Sequence, residues 1–171
     1  MATIGEQLFK GLHQAGVRHV FGVAGDYCFG LLDQIKPAGI EGVGCSTEAA
    51  AGHAADVYAR VKGLGALLVT YGVGGYTALN AVACAYAEKS PLVVVSGSPG
   101  IKERKNRPLM HHMVRTYDNQ LKVYESFTCD RCVLSDPGRA AEDIARVLDS
   151  ARANSLPVYI EVPRDMVARQ V

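Results

Sequence analysis

Apolar runs bounded by glycine alternate along this chain with stretches whose apolar residues recur at helical spacing. The run "RHVFGV" precedes the helical pattern "FGLLDQI", "IEGVGC" precedes "TEAAAGHAADVYARV", and "GALLVTY" precedes "YTALNAVACAYAEK". "PLVVVSG" opens a longer charged connection, after which come "ESFTCDRCVL", the helical "GRAAEDIARVLDSARA" and a last strand, "LPVYIEV". Strands that are apolar on both faces and separated by helices predict a parallel sheet covered on two sides. The expected fold is an open three-layer α/β/α arrangement with a mainly parallel sheet of about six strands. At 171 residues, without repeats or low-complexity segments, residues 1–171 read as one domain with one substantial core.

Two stretches refine that outline. Thr3 and Glu6 stand three apart as a capping box, so the N-terminus reads as a helix rather than a secretion signal. The longest uncharged run, Gly63 to Ala87, contains five glycines and is interrupted by Thr70, Tyr71, Tyr76, Thr77 and Asn80. A membrane span needs about 20 predominantly apolar residues, so a buried strand followed by a small-residue helix explains the run better.

Composition excludes more than it assigns. Lys plus Arg (18) and Asp plus Glu (17) leave a formal charge of +1, which offers no basic footprint for nucleic acid or an anionic membrane. A small molecule or another protein is the expected partner. Five scattered cysteines make no disulfide framework and fit a reducing cytoplasm. "CDRC" at 129–132 is a lone C-x-x-C read as part of a strand, not as a redox or zinc motif.

In a parallel sheet the loops leaving the C-terminal ends of the strands cluster along one edge, where ligands bind. Those loops are "AGDY", "STE", "GVGG" and "GSPGIKERKNRPLMHH", which bring Asp26, Glu48, a glycine turn, His111 and His112 to one side. Each has an ordinary alternative. Asp26 can cap the helix that begins near Cys28, and Glu48 can answer a helix dipole. The neighbours of Glu48 are nearly all too small to pair with it, which suits close approach by a flat ligand or another chain. "GVGGYT" only partly imitates a dinucleotide fingerprint, and no acidic residue follows the next strand to hold a ribose. Its plainer reading is a tight strand-to-helix turn whose amides can line a pocket. "IKERKNR" reads as a solvated loop, and His13, His19 and His53 as structural residues. Adjacent histidines seldom present both rings to one ion, so no metal site is expected, and acid–base work stands beside plain loop residues for His111 and His112.

"VFGVAGDY", "STEAAAGHAADVYARVKG", "TYGVGGYTALNAVACAYAEKSPLVVVSG" and "LMHH" resemble, in order and spacing, the N-terminal pyrimidine-binding domain of thiamine diphosphate-dependent 2-keto acid decarboxylases. The pyruvate, indolepyruvate and phenylpyruvate decarboxylase group is most similar. The resemblance covers essentially the whole chain, up to "LPVYIEVPRDMV". It implies that Glu48 hydrogen-bonds the aminopyrimidine ring and favours the imino tautomer that generates the ylide nucleophile. It further implies that Asp26, His111 and His112 are the catalytic aspartate and paired histidines that assist decarboxylation and protonation. Ala24, Gly25, Thr70, Gly72, Val73, Gly74 and Asn80 are then expected at the cofactor pocket.

Members of that family hold the diphosphate and Mg2+ on a second domain, through a G-D-G motif and paired asparagines. Here the one Gly-Asp, Gly25-Asp26, is followed by Tyr27, and no Asn-Asn occurs. The resemblance therefore implies half a cofactor site, inactive without a diphosphate-binding domain or subunit. Three arrangements are compatible: a domain of a longer decarboxylase, a subunit of a two-chain sulfopyruvate-type enzyme, or a non-catalytic module that kept the fold. The helices "AAAGHAADVY" and "ALNAVACAYA" are expected interface helices, and a homodimer or higher oligomer follows.

Overall fold

A computed structural model describes all of residues 1–171. The elements run α1 (Ile4–Gln14), β1 (His19–Gly22), a 3-10 turn (Asp26–Cys28), α2 (Phe29–Ile35), β2 (Glu41–Gly44), α3 (Glu48–Lys62) and β3 (Gly65–Val69). They continue with α4 (Val73–Ala87), β4 (Leu92–Ser98), α5 (Ile101–Arg104), α6 (Asn119–Glu125), β5 (Asp130–Val133), α7 (Pro137–Asn154) and β6 (Val158–Pro163). All six strands are parallel, in the order β2-β1-β3-β4-β6-β5. The α/β/α expectation is met.

Local chemistry sets the helix ends. Thr3 Oγ1 accepts the Glu6 N–H at 3.2 Å while a Glu6 carboxylate oxygen accepts the Thr3 N–H at 2.7 Å, so the capping box is complete. Thr47 Oγ1 accepts the Ala50 N–H at 3.1 Å and opens α3, which stops at Gly63, whose φ of +87° suits glycine alone.

Two cores lie on the two faces of the sheet. One joins 28 buried residues of α1, α2, α7 and the strands, with Leu8, Phe9, Leu31, Ile144 and Leu148 among them. The other has 11, largely alanines and valines of α3, α4 and the central strands, closed by Tyr124 and Tyr159. On that face the backbones come close: a Cβ on Gly52 would stand 2.6 Å from the Ala81 Cβ.

Three boundaries depart from the sequence reading. "ESFTCDRCVL" contributes only Asp130–Val133 as strand, because Ser126 and Phe127 close the end of α6 with turn hydrogen bonds to Val123 and Tyr124. The charged connection contains α6, with Gln120 and Tyr124 fully buried. α4 starts inside "GVGG", directly after Gly72 turns the chain at φ +68°. In "CDRC", burial pushes the Cys132 thiol up to about 12 and the Cys129 thiol upward, against the thiolate chemistry of redox pairs. No helix is long and apolar enough to cross a membrane.

Candidate functional site at the C-terminal edge of the sheet

Asp26 follows β1, and His111 arrives from the connection after β4. His111 Nε2 and Asp26 Oδ2 meet at 2.8 Å. Asp26 does not cap α2 with its side chain, so that role falls away and the carboxylate is committed to His111. Tyr27 stacks on the His111 ring with centroids 4.9 Å apart and an interplanar angle of 22°. Its hydroxyl donates to the His111 carbonyl at 3.2 Å and lies 3.4 Å from His111 Nδ1. Both ring nitrogens of His111 thus have partners that fix its orientation. Burial first, and the Asp26 charge second, push the Tyr27 phenol upward, which keeps it a neutral hydroxyl.

His112 is brought back beside its neighbour by a left-handed backbone, φ +63°, a conformation uncommon outside glycine. The two imidazole centroids lie 4.7 Å apart, edge to face. His112 Nδ1 is buried and has no hydrogen-bond partner. One ligand atom from each of Asp26, His111 and His112 lies within 4.8 Å of the others, a convergence not expected of adjacent histidines.

The glycine turn joins this cluster to Glu48. A Cβ on Gly72 would stand 1.9 Å from the His112 carbonyl oxygen, so the turn and the histidine loop touch through bare backbone. A Cβ on Gly74 would stand 3.0 Å from Glu48 Oε1 and 2.9 Å from Thr70 Cγ2, and one on Gly25 would meet Thr70 Oγ1 at 2.8 Å. Gly25, Thr70, Gly74 and Glu48 therefore enclose a cradle kept open by missing side chains. Thr70 Oγ1 is buried there without a partner. The Gly72 N–H, expected to line a pocket, instead donates to Gln120 Oε1 at 2.6 Å. Val73 and Ala24 lie at the exposed rim. Asn80 is exposed on α4, seven residues or about 10 Å along the helix from Val73.

Three further participants escaped the sequence reading. Arg164, just beyond β6, stands 5.0 Å over the Tyr27 ring and 3.8 Å from Asp26 Oδ2, and is held by both carboxylate oxygens of Glu103. Those bonds hold the Glu103 carboxyl below its usual range. The strand-end rule, applied to the last strand as well, would have found Arg164. Gln120 donates to Ser96 Oγ at 2.8 Å and to the Tyr159 hydroxyl at 2.9 Å, which in turn donates to Glu161. Glu161, 1% exposed, pairs with Arg104 at 2.9 Å. No local pattern marks Gln120 or Glu161, because their partners are distant in sequence.

The family model described as "Thiamine pyrophosphate enzyme, N-terminal TPP binding domain" matches residues 2–123. The chain is 44% identical over 98% of its length to an indole-3-pyruvate decarboxylase of Azospirillum brasilense, spanning 31% of that protein. It is 43% identical over 96% of its length to a pyruvate decarboxylase of Aspergillus parasiticus, spanning 29% of it. Pyruvate decarboxylase 1 of Arabidopsis thaliana is 38% identical over 98% of the chain and is spanned over 28% of its length. The chain thus covers under a third of these relatives. With Glu48 opening α3, the cradle beside it and the Asp26–His111 pair all inside or at the edge of the matched segment, this chain belongs to the family of thiamine pyrophosphate enzyme N-terminal TPP binding domains.

Proposed function

We propose that the chain is the pyrimidine-binding half of a non-oxidative 2-keto acid decarboxylase, releasing CO2 and an aldehyde. The diphosphate and Mg2+ are held by a further domain or a partner subunit. The observation that carries this reading is the open cradle with an unsatisfied buried hydroxyl, Thr70 Oγ1, beside the unpaired carboxylate of Glu48. Buried polar groups are nearly always hydrogen-bonded, so an orphan in a cradle shaped by glycines fits a flat heteroaromatic ring bearing donors and acceptors.

Thiamine diphosphate, when bound, supplies the nucleophilic carbon and the electron sink for loss of CO2. Glu48 accepts a hydrogen bond from the aminopyrimidine, while Gly25, Thr70, Gly72, Val73 and Gly74 shape its pocket. Ala24 at the rim and Asn80 on α4 are assigned by resemblance. Asp26 orients His111, whose second nitrogen is held by Tyr27, so this ring can carry a proton without losing a hydrogen bond. His112, unpartnered, is free to give or take one. Val57 and Val61 on α3, with Val73 and Tyr86 on α4, stay exposed and fit helices covered in a homodimer or by a neighbouring domain. All five cysteines are free, which suits a reducing cytoplasm.

The test mixes the chain with a diphosphate-binding domain or subunit, thiamine diphosphate and Mg2+. Pyruvate, phenylpyruvate, indolepyruvate and sulfopyruvate are then screened for CO2. Turnover is expected with at least one, falling about 10²–10⁴-fold in His111→Phe, His112→Phe or Glu48→Gln. Silence with every keto acid, despite cofactor binding, would leave only a non-catalytic module.

A further inference from the structure

We infer that Asp26, His111 and His112 form a binding site for one borderline divalent transition-metal ion of the Zn2+ or Co2+ class. Two imidazoles and one carboxylate are a donor set such ions favour over Mg2+ or Ca2+, which prefer oxygen. One donor atom of each residue already lies within 4.8 Å of the others. Donors that share a tetrahedral ion with bonds of about 2.0–2.2 Å stand about 3.3–3.6 Å apart, so the 2.8 Å Asp26–His111 hydrogen bond opens by under about 1 Å while the wider gaps of the set close.

The surroundings suit an ion. Metal-bound histidines usually donate their second N–H to an oxygen, which fixes the tautomer and leaves the other lone pair for the metal. Tyr27 Oη, 3.4 Å from His111 Nδ1, is such an acceptor, and its own proton is given to the His111 carbonyl. With Nδ1–H given to Tyr27, Nε2 exchanges the proton it shares with Asp26 for the ion. His112 supplies the independent indication, since it has no hydrogen-bond partner and is held toward the cluster by a strained left-handed backbone. The nearest cation, Arg164, lies 3.8 Å from Asp26 but is already engaged by both oxygens of Glu103, so its repulsion is reduced. With three protein ligands and His111 more than half exposed, a fourth position stays open to water. An ion there occupies the lone pairs that proton transfer would use, and so acts as an inhibitor of any acid–base work at this edge.

The experiment needs neither cofactor nor keto acid, so its outcome is separate from that of the decarboxylase test. The metal-free 171-residue chain is titrated calorimetrically with ZnCl2, and Co2+ is followed by its visible absorption. One equivalent should bind, with the Co2+ spectrum of a nitrogen- and oxygen-ligated ion and no thiolate charge-transfer band. Binding should vanish in the His111→Phe/His112→Phe double variant and weaken strongly in the near-isosteric Asp26→Asn. Tyr27→Phe, which removes the hydroxyl that meets His111 Nδ1 and the His111 carbonyl but no ligand atom, should cost about 10–100-fold. The double variant keeps all five cysteines, so undiminished binding in it, or a thiolate band in the wild type, overturns the inference. No binding to the wild type does so equally.

Discussion

The two faces of the sheet solve different problems with the same strands. On the face covered by α1, α2 and α7, a 28-residue core is closed by branched aliphatic side chains and Phe9. On the face covered by α3, α4 and α6, an 11-residue core is thin, rich in alanine and crossed by a buried polar chain. That chain runs from the Gly72 N–H through Gln120, Ser96 and Tyr159 to Glu161 and Arg104. The first face buries the most apolar surface and so contributes most of the hydrophobic stabilisation. The second is organised around polar contacts and backbone approach, and its chain ends at Gly72, the glycine that touches His112. Stability and site geometry are thus largely assigned to opposite sides of one sheet.

The contrast can be broken most directly by truncation on the thick face. Phe9 is fully buried there, and Phe9→Ala is expected to cost about 3–5 kcal/mol in urea unfolding. Thiamine diphosphate or Zn2+ affinity should be unchanged under conditions where the variant stays folded. A cost below about 1 kcal/mol would show that the thick face is not the mainstay of the fold.

Next in size is the hub of the thin face. Gln120→Leu fills similar space but strands the Gly72 N–H and removes the donor to Ser96 and Tyr159. Each buried group left unpaired costs about 1–3 kcal/mol, so a loss of about 2–3 kcal/mol is expected. Unlike Phe9→Ala, it should also perturb the histidine cluster, seen as altered His112 imidazole chemical shifts by NMR. Equal shifts in both variants would erase the division of labour.

Glycine substitutions sharpen the comparison with opposite signs. A Cβ at Gly11 on α1 would meet only the ends of Ile144 and Leu148, at 3.3 and 3.4 Å. Gly11→Ala should therefore gain about 0.5 kcal/mol from helix propensity. A Cβ at Gly52 on α3 would collide with the Ala81 Cβ at 2.6 Å, which a helix must move to relieve. Overpacking of about 1–3 kcal/mol outweighs a propensity gain of about 1, so Gly52→Ala should lose about 1 kcal/mol net. Thermal or urea unfolding of the pair reads both signs at once.

The thick face was legible in the sequence because its signals are local. The Thr3–Glu6 box and the apolar strands each lie within one element. The edge that collects Asp26, Glu48 and His111 was legible too, since it follows from parallel strands alone. What was not legible depends on long-range pairing or on backbone sign. Gln120 sits in the charged connection after β4, in "TYDNQLKVYE", yet it is fully buried because Ser96, Tyr159 and Gly72 satisfy it from 24, 39 and 48 residues away. The convergence of the two imidazoles depends on the positive φ of His112, which nothing in "LMHHMV" announces. Asp26 was correctly brought to the edge, but its capping alternative could be discarded only once its oxygen was found on His111.

The smallest effect separates the faces at their surface charges. At the start of α6, Lys122 Nζ lies 2.7 Å from Asp118 Oδ2, and that hydrogen bond first, with Thr116 second, lowers the Asp118 carboxyl to about 2. The unfolded value is near 3.9, so the folded carboxylate is the depressed case. Its stabilisation is complete above about pH 4 and is lost as pH falls through about 2. Both partners are more than half exposed, and solvent screening holds the pair below about 1 kcal/mol. Asp118→Asn should therefore lower the urea midpoint slightly at pH 7 and less in high salt, with wild type and variant merging near pH 2. If the gap instead persists at pH 2, the loss lies in the geometry of the loop entering α6 rather than in charge. The thin face would then depend on shape even at its surface, as it does around Gly52 and Gly72.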